Sequence, residues 1–278
     1  MLPYKLREWI KEENLNFHYL SLNPRALRII EKNMNKISWL LLSKNHIAMH
    51  LIEKNMDKIS WKFLSGNTDA IHLLKKYSDR IDWQMLSSNE SAISILEENP
   101  DKIDWHYLSS NTNAICILEQ NKDKVDWKRL SGNTSALNML EQNFKYINWT
   151  YLSYNSSAVH LIEANQDKIF WPYISLNKSA VHILEKNPDK IKWHSLSSNQ
   201  GAIELLERNQ DKIDWGSIST NPEIFVYDYD QMKENKKLLH EDLVEVMFHP
   251  DNFHKFVDWG LLPSNSESYG GYKYNFWD

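Results

Sequence analysis

The side chains of this chain that could do chemistry recur at a fixed interval. His50 and His72 lie 22 residues apart, and so do His160 and His182. Imidazoles on stacked elements could hold a metal ion. A protein zinc site needs three or more ligands, however, and no third ligand is evident beside either pair. Their other use would be titration near neutral pH. Cys116 is the single cysteine, and without an activating neighbour it reads as an ordinary exposed thiol. A serine and an asparagine occur in every period, from Ser21 to Ser219 and from Asn23 to Asn221. No reaction needs ten copies of a catalytic residue, so these read as caps and as hydrogen-bonders between units. The chain carries no C-x-x-C, H-E-x-x-H, G-x-x-x-x-G-K-[ST] or G-x-G-x-x-G run. The histidines read as a solvated polar face. Neither enzyme activity nor any cofactor or metal is expected.

What must position these residues is set by tryptophan. Trp39, Trp61, Trp83, Trp105, Trp127, Trp149, Trp171, Trp193 and Trp215 are each 22 residues apart, with Phe17 in the same place one period earlier. A period of this length means stacked copies of one supersecondary unit. Counting places from the tryptophan, one unit reads WQMLSSNESAISILEENPDKID over residues 83–104. Place 4 is always Leu or Ile, place 5 Ser, place 7 Asn and place 10 Ala, while places 11, 13 and 14 are aliphatic or Met. At about 100° per residue, places 10, 11, 13 and 14 share one apolar arc, as on an amphipathic helix. Asparagine at place 7 suits the N-cap of a helix over places 8–16. Asparagine at place 17 suits a C-terminal position with left-handed angles. A capping residue at place 22, with Trp and Leu in i,i+3 spacing, predicts a second helix of about one turn. Glutamate at place 15 and lysine at place 20 could pair at the surface.

The predicted fold is all-α: a right-handed α-solenoid, or superhelix, of about ten 22-residue two-short-helix repeats with helical caps. A leucine-rich repeat has a similar period but needs an alternating L-x-L strand that this unit lacks. At a helix spacing of about 8–10 Å, ten units would give a rod or superhelix of about 90 Å. The expected division is a capping helix over residues 1–16, tandem repeats over 17–221, diverged repeats or a cap over 222–262, and an aromatic tail over 263–278. Leu239, Leu243, Val246 and Met247 predict a longer helix ending before Pro250.

The formal net charge is −5, which gives no general attraction to nucleic acid or anionic membranes. No stretch approaches the roughly 20 apolar residues of a membrane span. The opening MLPYKLREWIKEEN has no signal-peptide core. A soluble, intracellular protein is expected.

Specificity should lie where units differ, at places 2, 3, 6 and 12. There stand Lys62, Phe63, Met85, His106, Tyr107, Arg129, Tyr151, Tyr154 and Tyr173. Tyrosine and arginine among variable polar groups suit a protein-recognition surface. The competing reading of place 3 is that it completes the core between units. The tryptophans themselves read as framework. The leading expectation is a non-enzymatic scaffold that binds a protein partner along one face. The alternatives are a self-associating structural component, joined through its C-terminal end, and a helical repeat that binds nucleic acid. The last is disfavoured, because places 2 and 3 offer only Lys62, Lys128 and Arg129 as fixed cations.

The unit W-x-x-L-S-x-N-x-x-A-I-x-L-L-E-x-N-x-D-K-I resembles a repeat of uncharacterised proteins of giant DNA viruses of protists. The resemblance extends over residues 17–261 and includes Asn221, Pro222, Ile224, Phe225, Asp228 and Tyr229, then His249 and Pro250. It implies expanded interaction repeats acting in an infected host cell, in its cytoplasm or nucleus or in the virion, and it implies no catalytic residue.

Overall fold

A computed structural model describes residues 4–248, apart from the side chains of 239–248. The described chain is an all-α repeat solenoid with almost no sheet. Residues 4–226 form one compact unit, and the helix Tyr229–Phe248 belongs to a second. Residues 1–3 of the expected cap, residues 249–262 of the expected region 222–262 and all of the tail 263–278 lie outside the described residues.

Each repeat begins with a helix of one turn, such as Trp105–Leu108 or Trp127–Ser131. Asp104 and Asp126 start these two helices by accepting the backbone N–H groups of Tyr107 and Arg129 at 3.1 and 3.0 Å. A tight turn at places 8–10 follows, and then a second helix of five or six residues, such as Ile115–Gln120. The α-helix therefore starts at place 11 and not at place 8. Asn111 Oδ1 takes the N–H of Asn113 two residues on, which favours a turn, and Ala114 sits at φ −93°, ψ 7°. Place 17 also departs from expectation. Asn121 has φ −130°, so no left-handed residue ends the helix; its side-chain amide instead donates to Ile117 O at 2.9 Å. Helices this short are marginal alone, so the stacking must hold them.

The stack is built on invariant places. Place 4 (Leu108), place 10 (Ala114) and place 14 (Leu118) are fully buried, as are the place-5 and place-7 residues Ser109 and Asn111. Each serine hydroxyl donates to the tryptophan carbonyl four residues back and accepts the N–H that opens the next unit. Ser109 does both, with Trp105 O at 2.7 Å and Asp126 N at 3.0 Å. Each place-7 amide reaches into the preceding unit. Asn111 Nδ2 donates to Ser87 O and Asn89 O, both at 3.0 Å.

These junction bonds recur where no junction is expected. Asn23, in the first unit, donates to Ser219 O and Asn221 O of the last at 3.1 and 2.9 Å. Ser219 Oγ accepts Asn16 N–H at 2.9 Å, as Ser197 accepts Asp214 N–H. The solenoid is closed, and its first repeat stacks on its last as a successor would. Successive Trp helices approach most closely, while successive second helices splay. Each unit is a wedge, and its short helix occupies the inner circumference. Ten wedges in a ring turn by about 36° each. Curvature therefore closes the array in place of the expected rod or superhelix of about 90 Å.

Residues 1–16 were expected to form a capping helix, and the described part does not. Tyr4–Leu6 is a strand paired with Phe225–Tyr227, and Glu12–Asn14 is a single 3-10 turn. A closed array exposes no end face to cap, so this segment acts as a clasp. Arg7 N–H donates to Ile224 O and its Nε to Glu223 O. Arg25 pairs with the Glu223 carboxylate at 2.9 Å and lies over the Tyr4 ring. The predicted C-terminal helix is present as Tyr229–Phe248.

Two units lack the side-chain cap. Phe170 and Lys192 hold place 22, and neither side chain can accept the place-3 N–H; at Tyr173 that N–H turns to the Phe170 carbonyl, at 3.0 Å. Phe170→Asp is expected to supply the side-chain cap and raise stability by about 1 kcal/mol, read as an upward shift of the melting midpoint.

Candidate functional site

The tryptophans are half-buried, and most are lidded by the lysine at place 20 of their own unit. Lys102 lies over Trp83, Lys124 over Trp105, Lys168 over Trp149 and Lys190 over Trp171, each at 4.3–4.7 Å from the ring centroid. This geometry uses the ring quadrupole. The lysine thus serves Trp and not the place-15 glutamate. That glutamate meets histidine instead: Glu31 with His50, Glu53 with His72, Glu141 with His160 and Glu163 with His182, at 2.7–3.1 Å. Among the described residues no three His, Cys, Asp or Glu side chains converge as metal ligands. Cys116 is exposed.

On the inner circumference, places 2 and 3 bring several of the nominated residues together. Arg129 Nε donates to His106 Nε2 at 2.9 Å and its guanidinium lies over Tyr107. With Nε2 accepting, His106 Nδ1 carries the proton and donates it to Asp126 Oδ2. Burial alone would raise the Asp126 pKa. The Arg129 N–H, the His106 ring and the Lys128 N–H together outweigh it and hold the carboxyl below its usual value. Lys128 lies over Tyr151, and Tyr151 meets Tyr173 edge to face. A continuous row therefore runs from His106 and Tyr107 through Arg129 to Tyr151 and Tyr173.

Other nominated residues lie apart from that row. Met85 packs over Gly66 of the preceding unit, where an added Cβ would sit 3.3 Å from its methyl. Phe63 is half-buried and Lys62 is exposed. Tyr154, half exposed, occupies place 6 at the opposite end of the Trp helix. All the place-3 residues from Leu41 to Ser217 are half-buried, so place 3 both packs against neighbouring units and shows a face.

A serine, a histidine and an aspartate meet at the last junction, but their geometry excludes a relay. Ser217 Oγ and Asp214 Oδ1 both face His194 Nδ1, at 3.1 and 3.4 Å, whereas a relay needs them on opposite ring nitrogens. The Ser217 N–H foremost holds Asp214 below its usual pKa.

One further cluster stands outside places 2, 3, 6 and 12. Phe144, Tyr146 and Phe170, at places 18, 20 and 22, are 48%, 46% and 40% exposed. Tyr146 stacks on Trp127 at 4.8 Å, Phe144 meets Trp149 edge to face, and Phe170 meets Tyr173. The signal was legible. Residues 144–148 read FKYIN where the unit at 100–104 reads PDKID.

Comparison with protein families, with curated proteins and with solved structures finds no match to this chain. No helix among the described residues is long and apolar enough to cross a membrane.

Proposed function

We propose that this chain is a non-enzymatic scaffold that holds a protein partner on the surface of its Trp helices. The observation that carries the reading is a contrast within each unit. Places 4, 5, 7, 10 and 14 are nearly invariant and buried, whereas places 2 and 3 vary in every unit and show a face. The row His106, Tyr107, Arg129, Tyr151 and Tyr173 supplies the aromatic and arginine anchors that protein interfaces favour. A nucleic-acid track would need a line of free cations. The Arg129 guanidinium is instead engaged by His106 and Tyr107. The resemblance to giant-virus repeats supports the same reading and makes a host protein the partner to seek.

The test places a photo-cross-linking residue at Lys62 or Gln84, exposed on Trp helices, and at Lys54, exposed on a second helix. The expected result is one protein cross-linked from the first two positions and not from Lys54. Cross-linking from Lys54 alone, or none from any position, overturns the reading.

A further inference from the structure

We infer that the ring edge around residues 144–170 is a docking site for an acidic segment of a protein partner that carries a bulky apolar anchor. This inference rests on the scaffold reading and names the chemistry of its partner.

Connections between successive helices alternate between the two edges of the ring, and those between units, at places 18–22, make up one edge. Exposed apolar side chains gather there at one point, with Phe144, Tyr146 and Phe170 in two consecutive connections. They are bound into one surface. Phe144 and Lys168 both lie on Trp149, at 5.7 and 4.3 Å, and Phe170 follows Lys168 in the same connection.

All three residues break the repeat at a local cost. Phe144 puts an exposed aromatic ring where the other units carry Met, Ser, Pro, Lys or Gln, and Phe170 removes a helix cap that most units keep. Tyr146 takes the place of the lysine that lids Trp in most units. Rules broken together in one place mark a site that serves something other than stability.

Charge selects the occupant. The connections 144–148, 166–170 and 188–192 carry Lys145, Lys168, Lys190 and Lys192 against only Asp167 and Asp189. At 100–104 and 210–214, by contrast, two aspartates accompany one lysine in each. A positive edge on a chain of net charge −5 suits acidic side chains.

Ring geometry then favours peptide over nucleic acid. Base stacking needs an open aromatic face. Trp149 already carries Lys168, and Tyr146 is held between Trp127 and Lys145 at 4.8 Å each. Phe144 and Phe170 remain as exposed apolar rings flanking lysines. That arrangement fits an apolar anchor bordered by carboxylates.

The probe is a short fluorescent peptide in which glutamate alternates with leucine and phenylalanine. Its controls are the same peptide with lysine for glutamate, the same peptide with serine for its apolar residues, and a single-stranded oligonucleotide. Two variants return the edge to the repeat's own sequence. One is Phe144→Gln with Lys145→Asp and Tyr146→Lys, which reproduces residues 166–168. The other is Phe170→Asp, which is expected to melt higher than the parent. The acidic apolar peptide should bind the parent, weaken with added salt, and lose about tenfold or more in affinity to each variant. Unchanged binding by the variants overturns the inference. So does equal or tighter binding of any control, or no binding of the acidic peptide. If a partner still cross-links from Lys62 and Gln84 while the peptide fails, the scaffold reading stands and only this docking site falls. If no partner cross-links from any position, the scaffold reading falls as well.

Discussion

Deletion of one whole period, residues 105–126, is expected to open the ring. The cut joins Asp104 to Trp127, so every remaining unit keeps its own sequence, caps and neighbours of the usual kind. An open solenoid would merely shorten, with stability falling by about one unit's share. A closed array of wedges has no such freedom. Nine units turning about 36° each leave the seam about 36° short. Closing it would need about 4° more at every junction, or roughly 0.7 Å across helices about 10 Å apart. Junction hydrogen bonds such as the two at 3.0 Å from Asn111, and fully buried leucines and alanines, tolerate little of that. The seam should part instead. The bonds from Asn23 to Ser219 and Asn221, from Asn16 to Ser219 and from Arg7 to Ile224 and Glu223 would all be lost, with the Arg25–Glu223 pair. At about 1 kcal/mol each, this is about 5 kcal/mol beyond the deleted unit's own share. Hydrogen exchange should show the Arg7 and Asn16 amides unprotected while the Asp82 amide, at an internal junction, stays protected. Protection retained at Arg7 and Asn16 would mean that the wedge angle is adjustable.

Much of the framework was legible because one period was read ten times over. A single Asn or Ser could cap, bond or catalyse. The same residue at place 7 from Asn23 to Asn221 can only belong to the junction, and Asn111 shows how: it bonds Ser87 and Asn89 across units and Asn113 within its own. Closure was not legible. It is the sum of small rotations, and a change of a few degrees per unit, which no residue type encodes, would leave the same sequence pattern in an open coil. The clasp was hidden for a related reason. Tyr4–Leu6 is too short to declare itself a strand, and its partner Phe225–Tyr227 lies more than 200 residues away.

The edge patch is a different case. Its signal lay in the sequence, since Phe144, Tyr146 and Phe170 all interrupt the x-Asp-Lys-Ile-Asp run. Its meaning required knowing that place 20 covers the tryptophan of place 1. Once Lys102 is seen over Trp83 and Tyr146 over Trp127, the exchange of lysine for tyrosine is a change of surface and not of core. The constant places thus fix shape, and the departures from them mark where partners would be read.

The place-7 asparagines should show the largest effects of any single substitution, and the order of those effects tests the junction chemistry. Asn111 is fully buried, donates two hydrogen bonds to carbonyls of the preceding unit and accepts one from its own. Asn111→Ala leaves Ser87 O and Asn113 N–H without partners and Asn89 O with the Ala92 N–H alone, and should cost about 3 kcal/mol, part of the loss being recovered by water. Asn111→Asp keeps the shape yet should cost about 5 kcal/mol at neutral pH, because a carboxylate oxygen would face two carbonyl oxygens at about 3 Å. The folded state would then favour the protonated acid, which can donate one of the two lost bonds. Its folded pKa is raised above the unfolded value of about 3.9, so the stabilising protonation is fully present below pH 4 and is lost as pH rises through the folded value. Asn111→Asp should therefore gain stability relative to Asn111→Ala as the solution is acidified, with denaturant midpoints measured at both pH values. A companion substitution ties this chemistry to closure. In an open solenoid the Asn23 amide would face water and Asn23→Ala would be nearly neutral. In the closed ring its amide bonds Ser219 O and Asn221 O, so Asn23→Ala should cost about as much as Asn111→Ala. A nearly neutral Asn23→Ala beside a costly Asn111→Ala would place the first repeat at a free end.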